Sequence, residues 1–193
     1  MREMINMIVV LTALTAFSGG LLAAVQSGTE VQIENQILKF QKAPAIKELF
    51  PEATNDPLAE RFTIKKDDLE LQIFPGKLSD GSKVVAFETK GTGFGGPVGL
   101  MVGIDLETDK LIEVRVTTHS ETPGIGSRAK DDLAFVSQFA GIGLDTNFAI
   151  KSENGDIDAM SGATVTSKGL CVAAAKAKEV YQKLKPEIMK QIK

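Results

Sequence analysis

A chain of 193 residues with 43% hydrophobic and 24% charged side chains can bury one substantial core, and its length suggests one domain with an appendage. The formal net charge of -3 and the absence of Trp exclude nucleic acid as a partner, because such a surface needs excess Lys and Arg and aromatic platforms for bases. A single Cys and a single His exclude an internal disulfide and a His-based cluster, so no metal site is expected.

The chain opens with an uncharged run, MINMIVVLTALTAFSGGLLAAV, from Met4 to Val25. At about 1.5 Å of rise per residue, a helix of that length crosses the hydrocarbon core of a bilayer. Its few Thr and Ser hydroxyls can bond back to their own helix backbone and are tolerable in lipid. The run is longer than a signal peptide's apolar region, and LLAAVQS lacks an A-x-A cleavage pattern. Residues 1–26 are therefore expected to be an uncleaved transmembrane anchor in the cell membrane. Arg2 ahead of the span places the N-terminus in the cytoplasm by the positive-inside tendency. The single pass then leaves the C-terminal domain on the extracytoplasmic face, periplasmic or outer.

Residues 27–60 form a juxtamembrane segment, read as helix over 29–50. Ile33, Ile37 and Phe40 recur at helical spacing there, with Pro44 and Pro51 as punctuation. The remaining domain spans residues 61–193. Leu69, Leu71 and Ile73 alternate with polar residues as in a half-buried strand; Ser79-Asp80-Gly81-Ser82 is turn chemistry, and Lys83 to Thr89 is a second strand. PVGLMVGIDLETDKLIEVRV reads as two further strands joined around Thr108-Asp109, with Ile112, Val114 and Val116 on one face of the second.

AKDDLAFVSQFAG predicts a short helix with Leu133, Val136 and Phe139 on one side. Gly169 to Leu184 predicts a strongly amphipathic helix. Leu170, Ala174, Ala177, Tyr181 and Leu184 share its stripe, and Cys171 is a small buried apolar residue within it. Glu179 and Lys183 sit four apart on its solvent side. Strands in the middle and helices at the ends make an α+β fold, a central, mostly antiparallel sheet with flanking helices behind one transmembrane helix.

Three glycine-rich loops carry the candidate chemistry. The first, GTGFGGPVG, spells G-x-G-x-x-G at Gly91, Gly93 and Gly96, but Pro97 and a strand pattern follow where a dinucleotide fold needs a helix. A hairpin or bulge is expected instead. In the second, HSETPGIGSR, Pro123-Gly124 marks a type II turn. That turn carries Glu121 and Thr122 beside the apolar Ile125, a set able to bond the edge of a ring while packing on its face.

The third loop is DAMSGATVTSKG. Gly162-Ala163 lets successive N–H groups converge as an anion nest at the start of a helix. Ser161, Thr164, Thr166 and Ser167 add hydroxyls, and Lys168 adds a cation; Lys151 and Arg128 are further basic residues near the loops. The hydroxyls and Lys168 suit either a bound phosphate or a helix cap with redundant hydroxyls. No general acid, base or nucleophile for substrate chemistry is visible, so no catalytic residue is assigned.

DAMSGATVTS resembles the S/T-G-A-T flavinylation motif of the FMN-binding domain family, with Asp158 matching the acidic residue ahead of it. ETPGIG and GTGFGGPVG resemble that family's ring-packing segment and its glycine-rich hairpin. The resemblance implies FMN joined through its phosphate, as a phosphodiester, to Thr164, with Thr166 as the alternative hydroxyl. It implies cofactor-binding roles for Ser161, Gly162, Ala163, Thr166, Glu121, Thr122, Gly124 and Ile125. A dedicated flavin transferase is the implied maturation partner.

In size and layout the chain is most similar to the family members of Rnf-type complexes, the ion-translocating ferredoxin:NAD oxidoreductases. It also resembles, with a shorter chain, those of the Na+-translocating NADH:quinone oxidoreductase. Other membrane subunits are then the implied partners and electron relay the implied role. A stand-alone extracytoplasmic flavinylated carrier, or a non-redox phosphate-binding module, would share the same local motifs.

Overall fold

In the computed structural model, which describes residues 1–67 and 69–192, the chain separates into two units, Met1–Phe40 and a larger one that begins at Gln41. The first consists of helix α1 (Arg2–Ile37), none of whose residues is buried. Met4, Ile8, Leu14, Phe17 and Leu22 are all more than half exposed. The helix's uncharged stretch from Met4 to Val25, apolar nearly all round, finds no solvent match in water and is suited to lipid. The Thr15 hydroxyl donates to the Leu11 carbonyl at 2.9 Å, so this polar group is satisfied within the helix. Residues Leu38–Lys42 form a π turn, and α2 (Ala43–Leu49) carries Pro44 in its first turn, a position that proline tolerates.

The larger unit is built on five strands, β1 (Phe62–Lys66), β2 (Leu69–Lys77), β3 (Lys83–Thr92), β4 (Pro97–Asp105) and β5 (Leu111–Val116). They lie side by side in chain order, every neighbouring pair antiparallel. The α+β expectation is met. Strand β1 was not anticipated, since FTIKK is too short and Lys-rich to show alternation; those lysines suit its place at the sheet's edge.

Both faces of the sheet are covered, which is why its middle strands read as nearly continuous apolar runs. The main core takes alternate residues: Val85 and Phe87 from β3 stand opposite Ile104 and Val102 from β4. Val84, Ala86 and Met101 are also buried and belong to the opposite face by the two-residue period. On that face Phe50, just past α2, lies over Gly76 and Gly103, where added Cβ atoms would come within 3.1 and 3.2 Å of its ring. Ala45, Ile46 and Leu49 of α2 are buried beside it.

Two short helices follow the sheet, α3 (Arg128–Asp131) and α4 (Leu133–Val136), the latter running into a 3-10 turn at Ser137–Phe139. A single helix over this stretch is therefore corrected. Asp132 breaks from helical geometry at φ -81, ψ 88 and restarts the chain, its side chain accepting the Phe135 N–H. The restart rotates the faces, so that Leu133 is 66% exposed and Phe135 is buried with Val136 and Phe139.

Helix α5 (Thr164–Gln191) closes the core over β3 and β4. Leu170, Cys171, Ala174, Ala177, Tyr181 and Leu184 are all buried, as the periodicity predicts. The helix starts five residues earlier than its sequence pattern indicates, because Gly169, which reads as a helix boundary, is an interior contact. A Cβ on Gly91 of β3 would overlap the Gly169 carbonyl, and one on Gly169 would lie 2.5 Å from the Thr92 carbonyl. The two missing side chains let helix and strand touch backbone to backbone. The buried Thr89 hydroxyl donates to the Ala173 carbonyl at 2.8 Å and fixes the helix along the strand.

Candidate functional site

The close approach of Gly91 and Gly169 sets the first turns of α5 beside the β3–β4 hairpin. The first glycine-rich loop is the tip of that hairpin: Gly93 N–H donates to the Gly96 carbonyl at 2.8 Å, with Gly96 at φ +131. The hairpin expectation holds, and the dinucleotide reading falls because β4 follows directly. In the second loop Gly124 has φ +74, as the second central residue of a type II turn requires, and its N–H donates to Ser127 Oγ at 2.9 Å. Thr122 and Ile125 are exposed on this turn.

One buried carboxylate ties all three loops together. Glu121 is 6% exposed; its Oε1 accepts the Gly95 N–H at 3.0 Å, and its Oε2 accepts the Thr166 hydroxyl at 2.6 Å. A Cβ on Gly93 or on Gly126 would collide with these same oxygens. The glycines of the first two loops thus make room for an acid. Glu121 is buried rather than at the surface, and its two bonds make it a strut between hairpin, turn and helix. A second tie runs outside it: Arg128 Nη2 donates to the Ser161 carbonyl and its Nε to the Ile125 carbonyl at 3.3 Å.

Around the third loop the four hydroxyls have separate surroundings. Ser167 is fully buried, donating to the Ala163 carbonyl at 3.0 Å and accepting the Met160 N–H at 3.0 Å. Thr166, 1% exposed, is committed to Glu121. Ser161 and Thr164 are exposed. Gly162 sits at φ +78 in a turn closed by the Ala163 N–H on the Met160 carbonyl at 3.0 Å. Helix α5 follows with Ala163 as its N-cap and no side chain bonded across its first turn. A helix cap with redundant hydroxyls is thereby excluded: neither serine nor threonine caps this helix. Its first N–H groups remain available to an anion, with the partial positive charge of the helix end behind them.

Each loop also exposes one large apolar side chain, Phe94 at 77%, Ile125 at 49% and Val165 at 48%. Sequence reasoning named only Ile125. Phe94 was legible as an aromatic residue flanked by glycines at a hairpin tip, whereas Val165 becomes visible only once α5 is known to begin at Thr164. The arrangement combines an exposed hydroxyl, an uncapped helix end and three exposed apolar side chains on loops that Glu121 ties together. That set fits a ligand with a phosphate and a flat apolar body. Cys171 contributes nothing reactive: burial first, then the charge of Glu153, pushes its thiol up to about 11.

Comparison with known proteins agrees with these features. Residues 93–179 match the FMN-binding domain family model. The G subunit of the ion-translocating oxidoreductase complex of Escherichia coli (strain K12) is 30% identical over 194 residues, covering 95% of this chain and 93% of the relative. The corresponding protein of Stutzerimonas stutzeri is 28% identical over 142 residues, 69% of this chain and 62% of the relative, so that this alignment spans less than two thirds of that protein. Among solved structures, NqrC of Shewanella oneidensis shares the fold, with a TM-score of 0.50 and 24% identity over 72% of each chain.

Proposed function

The chain belongs to the G-subunit family of ion-translocating oxidoreductase complexes, and from that membership we propose that it is the membrane-anchored electron-relay component of an Rnf-type ferredoxin:NAD oxidoreductase. The relay works through FMN esterified by its phosphate to Thr164. The observation that carries the attachment is the contrast between the two threonines: Thr164 is exposed at the uncapped start of α5, while Thr166 is buried and its hydroxyl given to Glu121. A transferase can reach the first without unfolding anything.

FMN, when bound, supplies exchange of electrons singly or in pairs. The chain's residues hold it. The N–H groups at the start of α5 receive the phosphate charge, and the turn of Ser161, Gly162 and Ala163, closed by the Ala163 N–H on the Met160 carbonyl, shapes the approach to them. Ile125 with Phe94 and Val165 offers apolar contact to the ring, and Thr122 and Gly124 shape the turn that presents Ile125. Glu121 and Thr166 hold the loops together by their mutual bond. Proton transfer by a side chain is not required for a relay, in keeping with the absence of an assigned catalytic residue.

The apolar helix α1 and the membrane-complex relatives support a single-pass protein, and Arg2 supports a domain on the extracytoplasmic side. There a covalent tether keeps the cofactor from being lost. Other membrane subunits deliver and remove the electrons, and a flavin transferase matures the chain. Denaturing gel electrophoresis of protein co-expressed with that transferase tests the proposal. A fluorescent band that persists in Thr166→Val and vanishes in Thr164→Ala is expected. Fluorescence that survives Thr164→Ala contradicts it.

A further inference from the structure

The ligand proposed above brings negative charge, and three cations adjoin the stretch from Asp158 to Thr164. Two of them are already matched. Lys151 Nζ lies 2.6 Å from Asp158 Oδ2, and Lys168 Nζ lies 2.5 Å from Glu153 Oε1. Arg128 differs. Its guanidinium donates to two backbone carbonyls, those of Ile125 and Ser161, and no carboxylate pairs with it among the described residues. Carbonyl dipoles orient a cation without cancelling its charge.

The side chain begins α3, is exposed, and uses Nε and one Nη in these bonds. A guanidinium stays charged throughout the accessible pH range and carries five N–H donors in a planar fork, so donors remain for an anion. The carbonyl that anchors it belongs to Ser161, which shares the Met160–Ala163 turn immediately ahead of Thr164. A fixed, unneutralised charge thus stands beside that turn and the uncapped start of α5.

We propose that Arg128 is the charge partner of the ligand's phosphate, donating to one of its oxygens while the N–H groups at the head of α5 receive the others. The proposal rests on the reading of this site as an FMN site. It gives Arg128 a place at the phosphate, where the sequence showed only that Arg128 lies near the loops and that Lys168 could add a cation.

FMN and riboflavin share a ring and differ by the phosphate, so their ratio isolates the contact. The full-length chain, made without flavin transferase and purified in detergent, is titrated with each ligand by fluorescence quenching. FMN binds more tightly than riboflavin to the unaltered chain. Arg128→Gln lowers that preference by about tenfold while leaving the riboflavin affinity in place, and Arg128→Lys restores part of it. An unchanged ratio in Arg128→Gln overturns the proposal, and so does an equal loss of both ligands, which marks a collapsed loop. Covalent flavin on the unaltered co-expressed chain, read separately, decides the underlying site. If the adduct forms and the ratio does not move, the FMN site stands and the role of Arg128 falls. If no adduct forms and neither ligand binds, both fall.

Discussion

Thr164 and Thr166 stand two residues apart on one helix and have opposite fates because of a single acid. Glu121 is buried with two hydrogen bonds, and a buried carboxylate that loses a partner keeps its desolvation cost. Thr166→Val therefore destabilises the domain by about 1–3 kcal/mol, measured by chemical denaturation, while leaving the flavin adduct on Thr164. The hydroxyl-rich loop itself was legible in the sequence, since Gly-Ala between hydroxyl residues at a helix start is readable as an anion nest. Which hydroxyl faces outward was not. That depends on α5 beginning at Thr164 and on a carboxylate arriving from 45 residues away in the chain.

At the level of elements, the hairpins were readable from their turns. Asp80-Gly81 and Thr108-Asp109 do join strands, with Gly81 at φ +90 and Asp109 at φ +55. The helix between Arg128 and Phe139 was misread because Asp132 interrupts a run whose apolar spacing looks continuous; a side chain that caps the next turn leaves no trace in periodicity. Packing of α5 against β3 was equally hidden, since it rests on two glycines that lack side chains to signal it. A methyl group on Gly91 meets backbone rather than a movable side chain, so the helix must shift as a body. Gly91→Ala is expected to lower stability by about 1–3 kcal/mol and to reduce flavin attachment together with it, read as the denaturation midpoint and the in-gel fluorescence. Attachment unchanged in a destabilised Gly91→Ala variant would uncouple the contact from the site.

Over the whole molecule, α5 is the member that joins core, electrostatics and site. Lys183 holds the Asp67 carboxyl below its ordinary value, and Lys66 does the same for Glu187. Burial raises Asp109, but hydrogen bonds from Lys185 and Tyr181 outweigh it and leave that carboxyl lowered as well. A carboxyl lowered by folding contributes in full above its unfolded value, about 4, and loses its contribution as pH falls through the folded one. The denaturation midpoint is thus flat from neutrality to about pH 5 and declines below about pH 4. The uncharged stretch of α1 from Met4 to Val25 is expected to keep the chain in the membrane pellet after an alkaline carbonate wash and to release it to detergent. Peptide mass spectrometry of the full chain co-expressed with a flavin transferase bears on the site, the fold around it and the role at once. One FMN phosphoryl group should be found on Thr164 itself; an unmodified Thr164 peptide, or FMN carried on Thr166 or any other residue, would contradict the assignment.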